Sequence, residues 1–573
     1  MLKSQVVRLL TLILVTALSP SALLAQEADT VYMNGNVITV DDSFSAASAF
    51  AIKDGSFIFV GDDAGAREHI GPLTFVVDLD GKTVIPGLHD AHIHIRFGER
   101  ELYPRIPDIR ANIGEWASVE RMQDVVRRSL ATGAGMRPGP EPRWLVLRGW
   151  MSDVWEPPEW RKELIDAVAP DNPVYIIRYT HGSAANSKAL ELAGIDRNTP
   201  DPEGGHIKKD ANGEPTGEFV ERAPPQLLSL IPPLPPMTDY ELARNLVEGT
   251  QLALAAGLTT LHGASSGTDY DDVMRELSLY EVGLLRVRIN QMVNVETAKK
   301  MGGPLNYENK FFVQSVKTLL DGALGSRGAH FIEEYADYPG FHGEPRSNED
   351  QTAQTAIDLL NIGFNMRIHT IGDAANRIAL NAFEAALRQT GKSGEEVRFA
   401  LEHAQVITEQ DLPRLKELGV IASMQPLHAT EDMHFAEARL GKDRLKGAYA
   451  WSTLLDNDIV VATGTDYSVS PYNPFYTLHA AITRQDRENN PPGGWLPEEA
   501  MTREEALYAA TMAGAYTMHA EDVLGSIEIG KLADFVVINE DYMTMPAEDI
   551  WKIEPEMTVI GGDVVYVRPI ASD

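Results

Sequence analysis

The stretch "HDAHIH", His89 to His94, places three imidazoles and a carboxylate within six residues of a 573-residue chain that holds 15 His in all. Neutral imidazole and carboxylate are side chains that bind divalent ions such as Zn²⁺. An ion bound with one position open lowers the pKa of its water toward about 7 and so supplies hydroxide at neutral pH. An H-x-H arises by chance roughly 0.4 times in a chain of this composition, so the stretch needs partners elsewhere. Four residues qualify: Lys317 in "VQSVKTLLDG", His369 in "MRIHTIGDAA", His403 in "FALEHAQ" and Asp466 in "VVATGTD". Each sits in or at the end of an apolar, β-branched run. Residues two apart on a strand leave the same face, so His92 and His94 can point at one centre.

Something must bring these ends together. The middle of the chain alternates apolar runs with amphipathic helical stretches, the sequence form of βα units and a parallel sheet. Eight strands are predicted, at 84–94, 258–263, 285–293, 311–320, 364–371, 397–403, 419–425 and 459–466. Helices are predicted in "DYELARNLVEGTQLALAAG", "DAANRIALNAFEAALRQTG", "TEQDLPRLKELG" and "TREEALYAATMAGAYTMHA", each opening on Asp or Thr and most closing on Gly. The fold class is therefore α/β, a (β/α)8 TIM-like barrel over 84–519, in which chemistry belongs at the C-terminal strand ends. Strands one, four, five, six and eight all deliver an ionisable residue to that rim. Taken singly, a strand-end His is more often a hydrogen-bonded structural residue. Likewise, Asp466 could be a helix N-cap, and a buried Lys317 could pair with Asp321. Five such accidents on one rim would be a coincidence.

About 145 residues, 96–240, separate the first two strands, too many for a bare loop; they are expected to form an insertion subdomain over the active-site face. Trp144, Trp150, Trp155 and Trp160 lie in it, as an aromatic pocket wall or as the insertion's own core. Short strands with NG and DG turns fill 26–83 and 520–573, which predicts one small β-sandwich composed from both termini. Residues 1–25 read as a secretory signal peptide: Lys3 and Arg8, then a short apolar run, then small residues. That predicts an exported protein, periplasmic or secreted, with no stable membrane anchor after cleavage. The net charge of −33 argues against nucleic acid as a partner. With no Cys, there are no disulfides and no thiolate ligands.

The motifs "VIPGLHDAHIH", "VKTLLDGALGSR", "MRIHTIGDAAN", "EHAQ", "ASMQPLHATED", "GTDYSVSPYNPF" and "GSIEIGKLADFVVI", in this order, resemble the metal-dependent amidohydrolase superfamily. "LRGWMSDVW", "HGSAANSKALELAGI" and the segment "TPDPEGGHIKKDANGEPTGEFVERA" narrow the resemblance to its amidohydrolase-3 (YtcJ-like) branch. The resemblance implies that His92, His94, His369 and His403 hold metal. It makes Asp466 the catalytic carboxylate and a further ligand, and Lys317, carboxylated by CO₂, a bridging ligand in a binuclear site. One or two divalent ions are implied, Zn first, with Mn, Fe or Co as alternatives. His181 and His428 fall in motifs that border substrate, with a satisfied loop histidine as the competing reading for each. His262 and Asp321 are further candidate substrate contacts. His89 stands where the family usually has an apolar residue and is read as a supporting residue, Arg327 as a structural ion pair.

The expected activity is hydrolysis of a C–N bond in a small molecule, an amide, N-acyl or N-formyl compound, by activated water with Asp466 as general base and acid. The same site could act on an ester, lactone or phosphotriester, and a barrel that has lost catalysis could serve as a periplasmic binding protein. A homo-oligomer is compatible with the sequence.

Overall fold

The computed structural model describes residues 26–110, 118–150, 160–178 and 182–569. The signal segment 1–25, His181 and Trp155 lie outside the described residues, as does the side chain of Trp150.

Eight parallel strands follow one another in chain order: β1 (Leu88–Ile93), β2 (Leu258–Gly263), β3 (Arg288–Gln291), β4 in two pieces (Phe311–Val313 and Ser315–Leu319), β5 (Asn365–Thr370), β6 (Ala400–His403), β7 (Ile421–Met424) and β8 (Val461–Thr463). The first piece of β4 pairs with β3 and the second with β5, so this strand joins two sheets. A parallel bridge, Val293 to Val316, runs beside that junction. Beyond β8, Asp466 N donates to His92 O at 2.7 Å and His94 N to Tyr467 O at 2.6 Å, which brings the end of the eighth strand against the first. All eight predicted strands are present, in an α/β fold of the TIM-barrel type.

Buried apolar residues from the strands and the surrounding helices form one large core, with Leu261, Ile289, Val316, Ile368, Leu401 and Val461 among the strand residues. Helix boundaries follow local chemistry. Thr238 and Glu241 form a capping box before Asp239–Ala255. The helix α1 (Asp373–Thr390) ends at Gly391 with φ 70°, a left-handed stop that glycine adopts without strain.

"TREEALYAATMAGAYTMHA" departs from the predicted single helix. It folds as two, Arg503–Ala509 and Met512–Thr517, broken at Thr511. The break turns Ala510 O toward β1, where it accepts from His89 N at 2.8 Å. In the second helix Gly514 packs so closely on His89 that an added Cβ would lie 2.5 Å from the His89 Cβ. Contact with the barrel outweighs helix propensity here.

Between β1 and β2 the chain builds its own five-stranded sheet, in the order His206–Lys209, Pro215–Val220, Gly182–Ala185, Val174–Arg178, Leu145–Trp150. Trp160 is buried with Met122, Leu147 and Ile176, and Trp144 with Leu190, Ile207 and Phe219. These two Trp are core of the insertion. The chain ends supply two further sheets. Thr83–Pro86 from the N-terminal part pairs antiparallel with Phe535–Ile538 from the C-terminal part. Tyr32 of the four-stranded sheet meets Phe535 edge-on, ring centroids 5.1 Å apart. Among the described residues no helix is long and apolar enough to cross a membrane.

Candidate metal centre and active site

The ends of β1, β6 and β8 and the start of α2 (Pro426–Asp432), the helix after β7, converge on one carboxylate. Asp466 lies three residues past β8, with φ 52°, a left-handed conformation uncommon for Asp. Its Oδ1 is 3.1 Å from His94 Nε2 and 3.6 Å from His92 Nε2, and its Oδ2 is 3.5 Å from His428 Nε2. One ligand atom each from His92, His94 and Asp466 lie within 4.8 Å of one another, and so do those of His403, His428 and Asp466. The two triads share the Asp466 carboxylate. His403, the last residue of β6, also has a positive φ, 79°. Strained backbone at two of the five residues is the pattern of a functional site held in place by its surroundings.

The nitrogens facing away from the cluster are occupied. His92 Nδ1 is bonded to Glu402, whose other oxygen accepts from Arg367 Nε. His403 Nδ1 contacts Gln425 Oε1 at 2.6 Å. Each bond fixes a ring and leaves its Nε2 to face inward, the arrangement second partners impose on metal-binding histidines. His428 Nε2 is buried and makes no hydrogen bond. Electrostatics agree. Burial, with Lys317 adding to it, pushes His92 down to about 4, and burial holds His403 well below the usual imidazole range, so both rings are neutral. Burial works to raise the Asp466 carboxyl, but the facing His92, His94 and His428 hold it well below the usual carboxylate range. Imidazoles gathered around an anionic carboxylate are a donor set a divalent ion takes, and the residues fit one.

Lys317 lies in the second piece of β4, 4% exposed, with Nζ 3.5 Å from His92 Nε2. Burial lowers it to about 8. It does not pair with Asp321. Both Asp321 oxygens accept backbone amides, from His330 (2.9 Å), Ile371 (3.0 Å) and Gly372 (2.8 Å), which ties the loop after β4 to the loop after β5. His369, on β5, packs its ring 4.4 Å from that of His403 and lies 3.6 Å from Asp321, outside both compact triads.

Two residues expected as substrate contacts, Asp321 and His262, are buried and bonded within the protein. Asp321 is 0% exposed and committed to those three amides. His262, also 0% exposed, is enclosed between His89 (3.4 Å), Asn290 (3.1 Å) and Thr517 (3.3 Å). Its side chain is thus held among these three residues. His428, expected beside substrate, joins the cluster itself. His89 Nδ1 lies 3.4 Å from His262 Nε2, and Arg327 makes a two-point ion pair with Asp337 (3.1 and 2.7 Å).

Sequence reasoning missed Glu402, Gln425 and Asp90. The first two fall inside the motifs "EHAQ" and "ASMQPLHATED", where only their adjacency to His403 and His428 marks them. Asp90 sits between two histidines and binds Thr465 through both backbone (2.9 Å) and hydroxyl (2.5 Å), fixing the turn that carries Asp466.

A barrel of this type with a buried His/Asp cluster at its strand ends is the architecture of the metal-dependent hydrolases. The chain belongs to the amidohydrolase family, whose model matches residues 76–566, and it is a hydrolase of carbon–nitrogen bonds. It is 30% identical over 554 residues to YtcJ of Bacillus subtilis (strain 168), covering 94% of this chain and 99% of that one. It is 26% identical over 581 residues to the N-substituted formamide deformylase of Arthrobacter pascens, covering 95% and 99%. Among solved structures it superposes on a metal-dependent hydrolase from Pyrococcus furiosus with TM-score 0.65 and 25% identity, over 90% of this chain and 100% of that one.

Proposed function

We propose that this protein is an exported enzyme that hydrolyses an N-acyl or N-formyl amide, with Asp466 as the proton carrier. The observation that carries this reading is the sharing of the Asp466 carboxylate by two compact triads, one with His92 and His94 and one with His403 and His428. His92, His94 and Asp466 would hold one ion, and His403, His428 and Asp466 a second, with His369 beside them and Lys317, carboxylated by CO₂, as the bridging oxygen donor. Bound there, Zn or another divalent ion supplies the Lewis acidity that acidifies water and polarises a carbonyl. Asp466 takes the proton from the attacking water and delivers it to the nitrogen as the C–N bond breaks. Glu402 and Gln425 hold the His92 and His403 rings in the tautomer this requires. We read the eight strands as a closed barrel, the terminal sheets as a sandwich, and 96–240 as an insertion that borders the site. The deformylase relative supports an N-formyl substrate.

The test is metal per chain by plasma mass spectrometry on chelator-free protein, followed by kinetics on paired N-formyl amides and formate esters. Metal above one-half per chain, with amide cleavage lost on stripping and restored on reloading, supports the reading. Full amide activity in verified metal-free protein, or cleavage of the esters alone, overturns it. Edman sequencing of the mature protein from the periplasm, starting near Gln26, tests export.

A further inference from the structure

We propose that Glu431 is a specificity-determining residue, which binds a hydroxyl or N–H group carried by the substrate a few bonds from the scissile carbonyl. This rests on the C–N hydrolase reading and adds to it a class of substrate.

Glu431 lies on α2 three residues after His428, so both side chains leave the same face of the helix. His428 Nε2 is at the Asp466 carboxylate. Glu431 is one turn further from the end of β7, about 4.5 Å along the axis. One oxygen, Oε2, accepts from Ser470 Oγ at 2.8 Å, and Ser470 is on the loop that follows Asp466. Among the described residues Oε1 takes no hydrogen bond, and the side chain is half-buried rather than enclosed. The charged groups that act on it are Asp432 on its own helix, Arg110 at the start of the insertion and Asp466 across the site. The carboxyl is therefore anchored through Oε2 to the loop that follows Asp466, on the same helix face as His428, with Oε1 unbonded among the described residues.

No part of the proton transfer uses this group. Burial pushes its carboxyl up to about 8, with Asp432 and Asp466 acting in the same sense. An uncharged donor satisfies such a group without requiring a bare negative charge in a poorly solvated place. The five-bond reach from a carbonyl carbon to a hydroxyl on a three-carbon N-substituent is comparable with one helical turn, about 5.4 Å.

The experiment compares kcat/KM for N-(3-hydroxypropyl)formamide and its near-isostere N-butylformamide on the metal-loaded enzyme. Wild type is expected to favour the hydroxyl compound about tenfold, which is 1.4 kcal/mol. Glu431→Ala and Glu431→Leu should bring the ratio to about one, mainly through KM, and Glu431→Gln should keep most of the preference. Equal losses on both substrates in Glu431→Ala, with the ratio unchanged, would mean a structural role and overturn the proposal. Retention of the hydroxyl preference in Glu431→Leu would overturn it too. A wild type that cleaves both compounds without preference defeats this inference alone, whereas one that cleaves neither removes the C–N reading for such amides and this inference with it.

Discussion

In the proposed reaction Asp466 carries the greatest burden of any single residue, because it would be at once a shared ligand position and the proton carrier. Asp466→Asn keeps its shape and removes the charge. It is expected to cut kcat by about 10²–10⁴-fold while leaving the thermal midpoint of the protein near wild type. Metal content measured on the same sample separates loss of the base from loss of a ligand. Gln425 acts one bond further out. Its Oε1 meets His403 Nδ1 at 2.6 Å, so Gln425→Leu should lower metal affinity by about 10–100-fold. Competition with a chromogenic chelator measures this, and unchanged affinity would show that the His403 ring is fixed by packing alone.

At the scale of elements, the strands were readable because each is an apolar β-branched run bounded by turn residues, and the candidate ligands because they stand at or near strand ends. Asp466 was placed at the rim, yet β8 stops at Thr463 and a left-handed turn carries the carboxylate. The sequence has no signal for that turn beyond Gly464. His428 was placed beside substrate instead of in the cluster because it belongs to a helix, where direction depends on how that helix leaves β7. Glu402 and Gln425 were invisible for a related reason: which nitrogen of which ring they meet is a tertiary fact. The helix Tyr270–Glu281 shows another tertiary effect. Glu276 has Oε2 buried without a hydrogen bond, and burial raises its carboxyl to about 8, with Asp272 adding to the effect. Since the folded pKa lies above the unfolded one, the folded state keeps its proton while the unfolded chain has lost it. The contribution is full below about 4.5 and falls as pH rises toward about 8. Glu276→Gln should therefore flatten the decline of stability between pH 5 and 8, measured by denaturant unfolding across that range. A slope equal to wild type would show that Glu276 ionises freely.

For the molecule as a whole, the question is what fastens the terminal sheets to the barrel. Arg288 opens β3 at the end away from the metal centre and is buried with Asp534, which precedes the strand Phe535–Ile538. The pair is two-pointed, Nε to Oδ2 at 2.6 Å and Nη2 to Oδ1 at 2.8 Å. Arg288 Nη1 also donates to Asn309 O at 2.7 Å, and Asp534 Oδ1 accepts from Gly561 N at 2.7 Å. Asp534 thereby connects barrel, terminal strand and the last hairpin in one network. Removing one partner strands a buried charge, which costs about 3–5 kcal/mol, whereas replacing both with apolar side chains of similar volume is often neutral. Asp534→Ala should thus lower the thermal midpoint by several degrees, and Arg288→Met combined with Asp534→Leu should recover most of that loss. Because the network lies at the opposite end of the strands from Asp466, kcat at a temperature well below the midpoint should match wild type in both variants. A drop in kcat without a drop in the midpoint would mean that the terminal sheets set the geometry of the metal centre through β3, and not only the stability of the barrel that carries it.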